Sequence, residues 1–119
     1  MNYRKKVGDY GEKIAANYLK RKGYLIIEKN VKVSFKEIDI IAKIKEIIVF
    51  IEVKTRTSNT LGSADEAISG KKINNLKKAI NSYLAENKIK ANNIRLDFIA
   101  INIDKYKKIA NIKHFEDIF

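Results

Sequence analysis

Hydrophobic residues recur at two different spacings along the chain, and these spacings predict two long helices separated by strands. Three- and four-residue steps indicate an amphipathic helix over about residues 2–22, which Gly23 ends. The same period returns over about residues 64–87, where Gly70 is a candidate break.

Runs rich in β-branched residues predict the strands, which cover about residues 24–31, 36–43, 47–55, 94–103 and, as a fifth candidate, 109–115. A polar loop is expected over about residues 56–62. The order of helix, three strands, helix and one or two strands predicts an α/β fold with a mixed central sheet flanked by helices. A chain of 119 residues predicts one domain, covering residues 1–119.

The third predicted strand is apolar except for Glu52 and Lys54, which alternation places on one face. If residues 45–46 form the tip of a hairpin, Asp39 lies opposite Glu52 and Glu37 lies opposite Lys54. A slip of one residue would put the two acids on opposite faces, so the pairing depends on this register. We therefore expect two carboxylates side by side in a largely apolar sheet.

Two carboxylates about 5 Å apart on adjacent strands repel each other, and partial burial strengthens the repulsion. A proton on one acid, a cationic side chain or a divalent metal ion would relieve it. Lys54 supplies part of the charge, and Lys72 borders the apolar face of the second helix, from which it is placed to reach the acids or a phosphate. Oxygen ligands without cysteine or histidine favour Mg²⁺ or Mn²⁺ over zinc.

Charge and composition narrow the classes of partner. The chain has 25 Lys and Arg against 14 Asp and Glu, a formal charge of +11, which favours a polyanion and nucleic acid first. It contains no cysteine, which excludes disulfides and thiolate metal sites. Neither a signal peptide nor an apolar segment long enough to span a membrane is predicted, so we expect a cytoplasmic protein without a membrane partner.

An acidic residue on one strand followed by Glu-x-Lys on the next resembles the PD-(D/E)xK nuclease core. Four segments appear in order, "GDYGEKIAANYLKRKGY", "KEIDIIA", "VFIEVKTR" and "RLDFIAI". Together they resemble the YraN-type family of bacterial proteins, within the restriction-endonuclease-like superfamily. The chain departs from that family at Lys36, where a glycine is usual, which leaves the acids intact.

The resemblance implies a restriction-endonuclease-like core and a divalent-metal-dependent nuclease that cleaves DNA. Asp39 and Glu52 would hold Mg²⁺ or Mn²⁺, with the Val53 carbonyl as a further ligand, and Lys54 would orient the attacking water. The layout is also similar to that of archaeal Holliday-junction resolvases, which place another glutamate on the first helix, where Glu12 stands here. The same similarity implies branched or structured DNA as substrate and a homodimer.

The remaining polar residues receive lesser roles. Glu37 is a second-rank ligand candidate that we expect to pair with Lys54. Asp97 and Arg95 form a predicted polar pair without a catalytic role, and His114 is expected to be incidental. Contacts to backbone phosphates are assigned to four basic residues, which are Arg56, Lys71, Lys72 and Lys77.

Three other interpretations stay open at this point. The acids and Lys54 could form a purely structural charge cluster across two strands. The chain could be a nucleic-acid-binding protein that keeps the nuclease fold without turnover. It could also be a scaffold protein whose basic surface is incidental.

Overall fold

The computed structural model describes residues 3–34, 36–57, 69–90 and 92–118. Within these ranges, two helices and five strands follow one another. They are α1 (Tyr3–Arg21), β1 (Leu25–Val33), β2 (Lys36–Ile44), β3 (Ile47–Thr57), α2 (Gly70–Glu86), β4 (Ile94–Asp104) and β5 (Ile109–Phe115). The predicted order of elements, including the fifth strand, is confirmed. No helix in these ranges is long and apolar enough to span a membrane.

The five strands form one mixed sheet in the order β1-β2-β3-β4-β5. Neighbours are antiparallel except β3 and β4, which are parallel and are joined by the connection that contains α2. The prediction that the third strand ends near residue 55 was wrong. Arg56 pairs with Asn102 and Thr57 pairs with Ile103, so pairing with β4 carries β3 two residues further.

The start of α2 is determined by a capping side chain, and the end of α1 is determined by a glycine. The backbone of Ser69 is extended (φ −120°, ψ 163°) and its side chain accepts a hydrogen bond from the Lys72 amide, so α2 begins at Gly70. Gly70 is therefore the start of α2, whereas the predicted start near residue 64 lies outside the described residues. Gly23 adopts φ 94°, which lets the chain leave α1, as predicted.

The two helices pack on opposite faces of the sheet. Three α1 residues, Ala15, Ala16 and Leu19, pack against the face formed by Ile40, Ala42, Val49, Ile51, Ile99 and Ile101. Residues of α2, among them Leu76, Ile80 and Leu84, cover the other face, which includes Ile41, Phe50 and Leu96. A three-layer arrangement results, and the alternation along β3 decides which of its side chains faces which helix.

The hairpin between β2 and β3 has the predicted register. Ile44 pairs with Ile47, and the pairing continues to Ile40 and Ile51. It ends there, although β3 stays paired with β4 as far as Thr57. The two strands therefore separate just where Asp39 and Glu52 would form the next pair, and a cleft opens between them.

A second polar cluster ties β5 and the chain end to β4. Asp97, which is fully buried, accepts hydrogen bonds from Arg95 (2.9 Å to each carboxylate oxygen) and from the Asp117 amide (2.9 Å). His114 Nε2 lies 2.7 Å from the same carboxylate, and its Nδ1 lies 3.0 Å from the Tyr18 hydroxyl on α1. The predicted pair of Arg95 and Asp97 is confirmed, whereas the expectation that His114 is incidental was wrong.

The contact between α1 and β3 generates a stability prediction. A β-carbon at Gly11 would collide with the side chain of Thr55, whereas one at Gly8 would meet nothing. Gly8→Ala is expected to stabilise the protein by about 1 kcal/mol through helix propensity. Gly11→Ala is expected to destabilise it by about 1–3 kcal/mol, because α1 must move away from β3. Urea denaturation of both variants tests this, and equal shifts of one sign would contradict the described packing.

Candidate metal centre

Asp39 lies where β2 and β3 separate, and its side chain replaces a main-chain carbonyl as the hydrogen-bond acceptor for an amide of β3. Its Oδ2 accepts a hydrogen bond from the Val53 amide at 2.8 Å, and only 9% of the residue is exposed. Glu52, the residue before Val53, is 7% exposed. Asp39 and Glu52 are close enough to share a side-chain hydrogen bond. The sequence prediction that these two acids meet is confirmed in position.

The proximity of the two carboxyl groups changes their chemistry. Burial raises the pKa of Asp39 to about 9, and the hydrogen bond and repulsion from Glu52 act in the same direction. Without a metal ion, burial and the neighbouring carboxylate thus favour the protonated form of Asp39, which would donate a hydrogen bond toward Glu52. On the other side of Glu52, Lys72 Nζ lies 2.8 Å from Oε2. A proton and an ammonium group together compensate the charge of this pair.

Two further acids extend the cluster. One carboxylate oxygen from each of Glu12, Glu37 and Asp39 lies within 4.8 Å of the other two. Burial raises the pKa of Glu12, and the charges of Glu37 and Asp9 add to the effect. Glu12 on α1 thus lies beside the sheet acids, where the resemblance to resolvases places a glutamate. The expected ion pair between Glu37 and Lys54 was wrong, because the strands have separated there and Glu37 instead faces Glu12.

Asn30 supports two of these carboxylates, and sequence reasoning missed it. With its amide nitrogen turned toward the acids, Asn30 donates to Glu12 Oε1 at 2.6 Å and to Glu37 Oε1 at 3.2 Å. Its backbone has φ 55°, a conformation that asparagine tolerates better than most residues. An asparagine inside a predicted strand was the available signal, because asparagine is depleted from strands.

The donor set fits a hard divalent cation. Glu12, Glu37 and Asp39 each offer a carboxylate oxygen, and these three oxygens lie within 4.8 Å of one another, while Glu52 lies beside Asp39. The Val53 amide points at Asp39, so the Val53 carbonyl points toward the same strand edge and is placed to join them. Carboxylate and carbonyl oxygens are the ligands that Mg²⁺ and Mn²⁺ prefer, whereas zinc sites in proteins rely on histidine or cysteine.

Two cavities meet beside this cluster. The first, of about 490 Å³, lies between the acids and the start of α2, and its wall includes Asp39, Glu52, Lys54, Lys71 and Lys72. The second, of about 470 Å³, is lined by Lys54, Arg56, Gly8 and Tyr3, among others. Val53 and Lys54 line both. Three of the four basic residues predicted to contact phosphates thus line a cavity, whereas Lys77 lines neither.

The buried acid pair generates a prediction about stability and pH. The pKa of Asp39 rises from its ordinary 3.8 to about 9 in the fold. Between these values the unfolded chain loses a proton that the folded chain keeps, so stability falls as pH rises through this window. Asp39→Asn retains the neutral hydrogen-bonding form, and we expect it to be more stable than the wild type by ~1 kcal/mol or more at pH 8.

Guanidinium denaturation in EDTA at several pH values measures the difference. It is expected to be small near pH 4 and to grow up to about pH 9, where the wild-type carboxyl ionises. Glu46→Gln, at an exposed acid in the hairpin turn, is the control for loss of one negative charge. An Asp39→Asn protein that is less stable than the wild type at pH 8 would contradict the buried protonated carboxyl.

Comparison with known proteins places the chain among bacterial relatives of the same length. A UPF0102 protein of Alkaliphilus oremlandii is 40% identical over 115 residues, which cover 97% of this chain and 98% of the relative. One from Caldanaerobacter subterraneus subsp. tengcongensis is 42% identical over 117 residues (98% and 96%). One from Flavobacterium psychrophilum is 42% identical over 113 residues (95% and 92%).

The family profile gives the same result. The profile described as "Uncharacterised protein family UPF0102" matches residues 11–101, a range that begins one residue before Glu12 and contains Asn30, Asp39, Glu52 and Lys72. All the acids of the candidate centre thus lie within the matched part of the chain. The protein belongs to the UPF0102 family.

Proposed function

We propose that this protein is a divalent-metal-dependent nuclease of the PD-(D/E)xK type that hydrolyses phosphodiester bonds in DNA. The observation that carries the proposal is the pair of buried acids at the point where β2 and β3 separate. Asp39 and Glu52 meet there, Lys54 follows on the same face of β3, and Glu12 reaches the cluster from α1. Asp39, Glu52 and Lys54 line a cavity whose other wall includes Lys71 and Lys72.

The energetics of the cluster favour a functional site over a structural one. A structural charge cluster would gain stability by pairing each acid with a cation. Here burial and repulsion instead hold Asp39 in its protonated form, which costs stability at neutral pH. Groups whose protonation is strongly perturbed in a cleft are typical of sites that bind a ligand or a metal ion.

Asp39 and Glu52, with Glu12 and the Val53 carbonyl, would hold Mg²⁺ or Mn²⁺. A bound divalent ion would polarise the scissile phosphate and lower the pKa of a water molecule beside it. Asp39 is already oriented by the Val53 amide, and Glu12 by Asn30, so the ligands would need little rearrangement. The protein would thus supply a preorganised acidic cradle at the end of a rigid strand.

Lys54 is placed to act on the substrate rather than on the acids. It lines both cavities, so its ammonium can orient an attacking water and stabilise the charge that develops on the phosphate. Arg56 lies two residues further along β3, and its buried Nε has no hydrogen-bond partner within the described part of the chain. Arg56 also lines the second cavity, so its guanidinium group would contact a phosphate held there. Lys71 and Lys72 would contact phosphates from the other side.

One observation favours a second function, that of a nucleic-acid-binding protein without turnover. Lys72 already compensates Glu52, so the cluster can exist without a metal ion. In that case the basic cavity walls would bind phosphates, while a proton and the Lys72 ammonium group continue to compensate the negative charge of the acids. The two functions differ in whether the protein cleaves DNA when Mg²⁺ or Mn²⁺ is added.

Cleavage of end-labelled DNA tests the proposal. Single-stranded, duplex, flap and four-way-junction substrates are incubated with Mg²⁺ or Mn²⁺ and with wild-type, Asp39→Asn or Lys54→Ala protein. We expect the wild type to cut and both variants to lose at least ~100-fold in rate, since each removes a metal ligand or a charge that acts in the transition state. Preference for branched substrates, and a dimer during gel filtration, are expected from the resolvase-like layout.

Identically purified Lys107→Ala protein is the control, because Lys107 is exposed in the turn between β4 and β5 and lines neither cavity. Cutting that persists equally in all four proteins would come from a contaminant. If the wild type binds DNA but shows no metal-dependent cutting, the nuclease proposal is wrong and the protein is a nucleic-acid-binding protein without turnover.

A further inference from the structure

The ion pair between Lys72 and Glu52 joins α2 to the acid cluster, and the proposed metal-dependent reaction does not use it. Lys72 Nζ lies 2.8 Å from Glu52 Oε2, and the Glu52 side chain is only 8% exposed. Lys72 and Glu52 both line the first cavity. An ion that enters this cavity would therefore meet the ammonium group beside the carboxylate.

We infer that Lys72 is a built-in counter-cation that competes with the divalent metal ion for Glu52 and must leave before the metal binds fully. The inference rests on the proposed metal site and adds a regulatory residue to it. A metal ion that binds Glu52 Oε2 would come into the immediate neighbourhood of the ammonium group. Two cations so close to one carboxylate repel each other strongly, so only one is retained.

The position of Lys72 allows this exchange without disturbing the fold. Its backbone is fixed in the first turn of α2, where its amide donates to the N-cap oxygen of Ser69 at 3.2 Å. Leu76, one turn further, anchors the helix in the core with 5% exposure. The Lys72 side chain itself is 44% exposed, so the ammonium can move into solvent by a change of rotamer alone.

A released ammonium would still serve the site. Lys71 and Lys54 line the same cavity, and a phosphate group entering it would meet all three lysines. In the metal-free state the Lys72 ammonium group would reduce the repulsion between the acids. In the metal-bound state the same positive charge would be available to the substrate. Lys72 therefore acts as a positioning residue for metal loading, distinct from Lys54.

Calorimetric titration with Mn²⁺ alone tests the inference without any need for turnover. Lys72→Met keeps a long side chain of similar helix propensity but removes the competing charge, and we expect Mn²⁺ to bind about tenfold more tightly. Lys71→Met is the matched control, since it removes the same charge one residue away, outside the ion pair. We expect its Mn²⁺ affinity to change less than about twofold.

Two further variants separate the possible outcomes. Lys72→Arg retains a cation for Glu52 and is expected to bind Mn²⁺ as the wild type does, which excludes a general effect of altering this position. Asp39→Asn is expected to abolish binding, which locates the ion. If the wild type binds Mn²⁺ but Lys72→Met binds it equally or more weakly, the competition is wrong while the metal site stands. If neither protein binds Mn²⁺, the proposed metal site fails and the inference fails with it.

Discussion

The hydrogen bond from the Val53 amide to the Asp39 carboxyl determines how the sheet and the site fit together. Antiparallel strands normally satisfy such an amide with a main-chain carbonyl. Here a side chain accepts it at 2.8 Å, and the main-chain pairing of β2 with β3 stops at Ile40 and Ile51. The strands can therefore separate without leaving this donor unsatisfied, and the separation creates the cleft.

The cleft concentrates negative charge in a protein that is otherwise strongly basic. The formal charge of the chain is +11, yet four acids, Glu12, Glu37, Asp39 and Glu52, come together at one end of the sheet. Basic side chains from β3 and α2 surround them. A small hard cation fits the centre of such an arrangement, and a polyanion fits its rim. These two complementarities support a metal-dependent reaction on nucleic acid more directly than either would alone.

Sequence patterns predicted that Asp39 and Glu52 meet, but they did not predict the contacts of the residues around this pair. Alternation along β3 and the two-residue hairpin turn were sufficient to bring Asp39 next to Glu52, because register follows from the turn once the apolar face is known. The same reasoning failed for Glu37 and Lys54, since it extended the ladder past the point where the strands separate. That separation depends on a side-chain to main-chain hydrogen bond, which hydrophobic periodicity does not encode.

Contacts between distant elements explain the other omissions. Asn30 supports Glu12 and Glu37 from β1, and His114 joins Tyr18 to Asp97 across three elements. Neither role follows from local spacing, because the partners are brought together only by the complete sheet and α1. Lys72 was expected near the site from its place on the helix, but its choice of Glu52 depends on how α2 packs on β3. Tertiary packing thus decided which polar residues meet.

The central claim is that the acids between β2 and β3 form a divalent-cation site, and paramagnetic line broadening tests it most directly. Substoichiometric Mn²⁺ is added to ¹⁵N-labelled wild-type protein and the loss of each amide signal is recorded. If the ion binds at these acids, the amide signals of Asp39, Glu52 and Val53 broaden first, while that of His114 persists. Uniform broadening, or broadening centred on exposed acids such as Glu46 or Glu86, would contradict it.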